Sequence, residues 1–132
     1  MAGSQPGLGA GARRRRLGTG PRAAVVELDR LRIERALVRR ARYRYVQPRV
    51  VAAGPAEGAR GGWKIVSPNC SRNVDPDGGE IDIAWFEPVG HGRWALHARD
   101  HRHALWQLQA AALPMAEAIE RVCRDPLGRF WP

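Results

Sequence analysis

The chain has 132 residues, 22 basic and 13 acidic, giving a formal net charge of +9, and 44% of its residues are apolar. That length and composition suit one globular domain, and they exclude a multidomain enzyme and a dinucleotide-binding fold. No window approaches the roughly 18 consecutive apolar residues that a membrane span requires.

Twenty-one of the basic residues are arginine and one, Lys64, is lysine, a ratio that GC-rich coding by itself produces. Position says more than the total. Residues 1–49 hold 13 Arg against Glu27, Asp29 and Glu34, a balance of +10, whereas residues 50–132 sum to −1. The two cysteines, Cys70 and Cys123, are too few for a disulfide framework. The basic run Arg13 to Arg16 leads into Leu17 to Arg22, which lacks the apolar stretch of an export signal. A cytoplasmic location is expected.

Residues 1–22 contain six Gly, two Pro and five Arg, with Leu8 and Leu17 as the sizeable apolar side chains. Such a segment buries too little surface to offset its ordering entropy, so a flexible basic arm is expected there and a single domain over 23–132. Residues 23–42 lack Gly and Pro and predict a helix. At 100° per residue Val26, Leu31, Ile33, Leu37, Val38 and Ala41 fall within an arc of about 160°. Arg32, Arg35, Arg39 and Arg42 gather within about 80° on the other side.

Tyr43 to Val51 mixes aromatic and β-branched residues and predicts a strand, with Pro48 arguing for an edge or a bulge. Gly54 to Gly62 is a loop and Trp63 to Ser67 a second strand. The polar stretch Pro68 to Gly79 is punctuated by Asp75-Pro-Asp-Gly-Gly79. Glu80 to Glu87 then sets Ile81, Ile83 and Trp85 on one face, and Arg93 to Arg99 does the same with Trp94, Leu96 and Ala98. Period two on both sides of Pro88 to Gly92 predicts a hairpin. Ala104 to Gln109 adds a further strand. Pro114 opens a short helix that aligns Met115, Ile119 and Val122, with Cys123 beside them, and Asp125-Pro126 ends it. Leu127, Phe130 and Trp131 are expected to fold back onto the sheet. The class that follows is α+β: an antiparallel sheet of three to five strands packed by an N-terminal and a short C-terminal helix.

The segment from Trp94 to Asp100, Trp106, and the ending Asp125-Pro-Leu-Gly-Arg-Phe-Trp131 resembles the C-terminal third of a bacterial family of small uncharacterised proteins. That resemblance implies a compact α+β domain and no chemistry. More locally, Gly62 to Ile65, Asn73 and Gly79 to Ile83 are similar to the first half of small restriction-endonuclease-like nucleases. There the likeness implies Asp82 as a metal ligand, with Glu-x-Lys on the next strand. The chain instead offers His97-Ala98-Arg99, which lacks the second carboxylate and the lysine that orients water, so an inactive relative is the alternative.

His97, His101 and His103 would share one face of an unbroken strand and form a metal site, but Asp100 to Arg102 predicts a turn that scatters them. Cys70 lacks a fixed base and Cys123 lies on an apolar helix face. The tryptophans at 63, 85, 94, 106 and 131 are expected mostly in the core, with one or two free for stacking or a partner. No catalytic set, metal site or cofactor site is therefore expected, and a non-enzymatic module is favoured. Arg13, Arg14, Arg15 and Arg16 with Arg32, Arg35, Arg39 and Arg42 would engage about eight phosphates of RNA or DNA, with steep salt dependence and little sequence preference. An acidic protein partner offers the same field, and a solvated helix face accounts for the stripe without any partner.

Overall fold

The computed structural model describes residues 21–40, 47–69 and 77–132. The chain divides into two units, residues 1–31 and 32–132. Helix α1 runs Pro21–Leu37 and is followed by β1 (Arg49–Ala52), β2 (Trp63–Pro68), β3 (Glu80–Gly90), β4 (Arg93–Asp100), β5 (Leu105–Pro114) and α2 (Met115–Arg124). The strands form one sheet in the order β1-β2-β3-β4-β5, every neighbouring pair antiparallel. The molecule is thus α+β with a five-stranded meander, the simplest topology for strands that each fold back on the one before. No described helix is long and apolar enough to cross a membrane.

Within the described residues α1 stops after Leu37, short of the expected end at 42. Arg39 N–H donates to Ala36 O at 2.9 Å and Arg40 N–H to Leu37 O at 3.3 Å, tightening the last turn. The Arg40 guanidinium reaches back to the same Leu37 carbonyl at 2.7 Å, capping the helix end. Arg40 is 3% exposed and stacks over the Trp131 ring at 5.3 Å. Val38, expected in the apolar arc, is exposed because the helix has already ended. Ile33, Ala36 and Leu37 are the residues of the second unit that α1 buries.

The core side of the sheet carries Trp63 and Ile65 from β2, Ile83, Ala84 and Phe86 from β3, and Leu96 and Ala98 from β4. Against it lie Met115, Ala118, Ile119, Val122 and Cys123 of α2, then Phe130 and Trp131. Pro114 stands at the N-cap of α2 rather than inside its first turn. The tail returns to the core as expected for Phe130 and Trp131, whereas Leu127 is exposed.

Two details depart from simple alternation. The β2–β3 register shifts between Ile65 and Val66, so Ile65 faces Ala84 while Val66 faces Asp82. The extra residue, Ile83, makes a bulge that puts Ile83 and Ala84 together in the core and turns Trp85 to the opposite face, away from where alternation with Ile81 and Ile83 places it. The β3–β4 connection is also tighter than Pro88 to Gly92. Gly90 pairs with Arg93, leaving His91 (φ 56°) and Gly92 (φ 69°) as the turn, the left-handed pair that matches strand twist.

Candidate functional site

The predicted arginine stripe divides. Arg13 to Arg16 and Arg42 lie outside the described residues. Arg32 and Arg35 project from α1 on the side away from Ile33 and Leu37, and Arg39 follows in the turn. All three line one shallow hollow of about 390 Å³ together with Ala36, Ala116, Ile119 and Glu120. Burying Ile119 and Ala118 fixes the roll of α2, which sets Glu120 at the rim of this hollow. Its carboxylate is held by Arg124 at 3.4 Å, a pair one helical turn apart. Among the described residues, Arg32, Arg35 and Arg39 therefore line a depression whose one acid, Glu120, pairs with Arg124: a surface suited to phosphate oxygens, which Arg binds through a fork of donors.

The sheet face opposite the core is the second cluster, and sequence reasoning found only part of it. The bulge-shifted Trp85 stacks on His97, with ring centroids 4.2 Å apart, and its indole N–H donates to Gly61 O at 2.7 Å. His97 Nε2 meets Glu87 Oε1 at 3.0 Å. Trp106 tilts onto Trp85 at 5.9 Å and lies beneath the Arg99 guanidinium at 5.1 Å. Beside them Lys64 Nζ sits between Glu57 Oε2 at 3.0 Å and Asp82 Oδ1 at 3.2 Å. Arg99 Nε approaches the other Asp82 oxygen at 3.9 Å.

The histidines separate as the turn at Asp100 predicts. His97 belongs to β4 and pairs with Glu87, while His103 caps back onto Asp100 at 2.9 Å and holds that carboxyl below its ordinary value. His101 Nε2 is buried without a hydrogen-bond partner among the described residues. Burial, reinforced by the Arg99 charge, lowers its pKa against the pull of Asp82 and Asp100. No group of three or more His, Cys, Asp or Glu side chains that could hold a metal occurs among the described residues. Asp82, the residue singled out by the nuclease likeness, faces Lys64 and Arg99.

Glu57 and Lys64 were missed as a pair because Glu57 sits in the loop of residues 53–62 and Lys64, seven positions on, lies on β2, and only the folded loop brings them together. The signal available was the single lysine in an arginine-rich chain, at an outward position of β2. Burial alone would raise the Glu57 carboxyl, but the Lys64 and Gly54 N–H hydrogen bonds and the Lys64 charge bring it below its ordinary value. Burial likewise opposes the Lys64 charge, and the bonds to Glu57 and Asp82 more than reverse it, raising its pKa. The Glu57 contribution to stability is complete above the ordinary glutamate value and is lost as pH falls through its lower folded value; the Lys64 contribution is complete below the ordinary lysine value and is lost as pH rises through its higher one. Lys64→Met is expected to cost about 2 kcal/mol near neutral pH, because it leaves the largely buried Glu57 and Asp82 carboxylates without the cation they share. Urea midpoints taken from about pH 7 to about pH 3 should show a shallower acid decline in the variant, and parallel curves would contradict the pairing.

A family model described as Domain of unknown function (DUF3024) matches residues 21–132. The match is wider than the C-terminal third that carries the resemblance in the sequence, and it starts at the first residue of α1. No curated protein and no solved structure matches the chain.

Proposed function

Since the chain belongs to the DUF3024 family over residues 21–132, a family that brings no assigned chemistry with it, we propose from its surface that it is a non-enzymatic module binding the phosphate backbone of RNA or DNA. One observation carries this: Arg32, Arg35 and Arg39 line a single hollow in which, among the described residues, Glu120 is the one acid. A guanidinium row of this kind neutralises phosphates and releases their counterions, which gives affinity without sequence preference. Arg13 to Arg16 and Arg42 add to the same positive third of the chain. An acidic protein surface would meet the same arginines, but the shallow, open hollow suits a backbone of repeated phosphates better than scattered carboxylates.

The test is fluorescence-anisotropy binding to a single-stranded RNA and a duplex DNA across a salt series. Reversing Arg32, Arg35 and Arg39 together to Glu is expected to weaken binding at least about tenfold and to reduce the salt slope by about 2 to 3. Removing residues 1–20 is expected to lower affinity further while retaining the slope that belongs to the helix arginines. Unchanged affinity and slope in the triple reversal would end the proposal.

A further inference from the structure

The hollow of Arg32, Arg35 and Arg39 does not stand alone. Glu120, on its rim, also lines a second hollow of about 240 Å³ with Arg121, Arg124 and Pro126. Arg121 and Pro126 in turn line a third, of about 680 Å³, which reaches Arg129 in the tail. The hollows adjoin through these shared residues, so arginines follow one another from the end of α1, across α2, to the segment after it. Charge summed along the chain conceals Arg121, Arg124 and Arg129, because residues 50–132 balance to −1.

The acids on this path leave the arginines available. Among the described residues that line the hollows, Glu120 and Asp125 are the acids. Asp125 is buried and its carboxylate is engaged by the backbone N–H groups of Arg129, Phe130 and Trp131. Glu120 holds Arg124 at 3.4 Å, and Glu117 holds Arg121 at 3.1 Å, both as exposed pairs one helical turn apart. Pairs of this kind contribute little in water, so either guanidinium can exchange its carboxylate for a phosphate, to which it bonds in two places. Arg129 is exposed and meets no carboxylate among the described residues.

The third hollow adds what a phosphate does not need. Pro126, Leu127 and Phe130 give it an apolar wall, and Leu127 is 74% exposed. Gln107 and Gln109 close another side. Their amide N–H groups go to Asp100 Oδ2 at 3.2 Å and to Gln107 O at 3.0 Å, which leaves both side-chain oxygens as acceptors. An apolar wall, acceptors and a neighbouring arginine together match a flat ring that bears N–H groups and hangs from a phosphate. In a duplex the bases are stacked and paired inside, and phosphates alone would reach such a wall; in a single strand a base can swing out and enter.

Resting on the phosphate-binding reading above, we propose that the nucleic acid is single-stranded, its phosphates following the arginines from Arg39 to Arg129 and an unpaired base lodging against Leu127 and Phe130. Fluorescence anisotropy with a mixed-sequence RNA of about ten nucleotides, and with the same strand annealed to its complement, is expected to show the single strand bound at least about fivefold tighter at equal salt. Changing Arg121, Arg124 and Arg129 together to Gln is expected to weaken the single strand at least about tenfold and to lower the salt slope by about 2, the share of three phosphates. Leu127→Ser is expected to weaken the single strand at least about threefold and to leave inorganic polyphosphate, which has no bases, bound as before by calorimetry. All four side chains are exposed, so thermal midpoints should hold. A duplex bound as tightly as the strand would overturn the proposal. So would parental binding in the glutamine triple or in Leu127→Ser while the Arg32, Arg35 and Arg39 reversal still weakens it, an outcome that leaves the phosphate-binding reading standing; if neither triple matters, both fall.

Discussion

Gly62→Ala is expected to lower stability by at least about 3 kcal/mol, a fall in thermal midpoint on the order of 15 °C for a domain of this size. Gly62 has φ +102° immediately before Trp63 opens β2, a conformation that a residue with a Cβ rarely adopts. A Cβ there would also collide with the Phe86 carbonyl oxygen and stand 2.8 Å from Pro88 Cδ. Neither neighbour can give way. Phe86 is the register partner of Trp63 and is fully buried, and Pro88 is part of the same strand. The Gly62 carbonyl also accepts Ala53 N–H at 2.9 Å, which ties the loop to the sheet. Gly79→Ala is the matched comparison, with φ +77° and nothing within 4 Å of a new Cβ. It should cost about 1 to 2 kcal/mol, the conformational penalty alone. Equal losses at both positions in urea unfolding would show that the backbone angle, and not the approach to Phe86, sets the cost.

Much of this architecture was legible in the residues. Ile81 to Phe86 and Trp94 to Ala98 alternate, and Gly90 to Gly92 breaks them, so the β3–β4 hairpin could be read directly. Met115, Ile119 and Val122 at helical spacing located α2 and its buried side. What alternation could not disclose was the bulge at Ile83, since a register shift belongs to two strands and leaves no mark in one. That bulge alone moves Trp85 from the core to the ring cluster with His97 and Trp106. Lys64 was equally hidden as a site residue, because Glu57 reaches it only once the loop folds over the sheet. The arginine stripe was visible as a pattern, but the end of α1 depended on Arg40 finding Trp131 some ninety positions away, a contact with no local signature.

Asp125→Ala is expected to cost about 4 kcal/mol, a large share of the stability of a domain this small. Asp125 follows α2 with φ 40° and ψ 56°, its N–H bonded to Arg121 O at 3.0 Å, and it is 2% exposed. Its carboxylate collects the backbone of the tail. Arg129 N–H donates to Oδ1 at 2.7 Å, Phe130 N–H to the same oxygen at 3.2 Å, and Trp131 N–H to Oδ2 at 3.0 Å. These three donors compensate the burial of the charge, and they aim Phe130 and Trp131 into the core, where the Trp131 indole donates to Val122 O at 3.0 Å. Alanine removes the acceptor and leaves two N–H groups buried without a partner, in a backbone conformation it tolerates poorly. Asp125→Asn keeps one acceptor oxygen and the tolerance for positive φ, so it should lose only about 1 to 2 kcal/mol. The tail should also loosen locally before the sheet does, read as faster hydrogen exchange at Phe130 and Trp131 in Asp125→Asn while Ile65 and Leu96 stay protected. Because Trp131 carries Arg40, which caps α1, the same loosening should reach the turn that holds Arg39 and weaken the proposed phosphate binding without altering a single arginine. An Asp125→Ala protein as stable as the parent would mean that the tail is held by its apolar side chains alone.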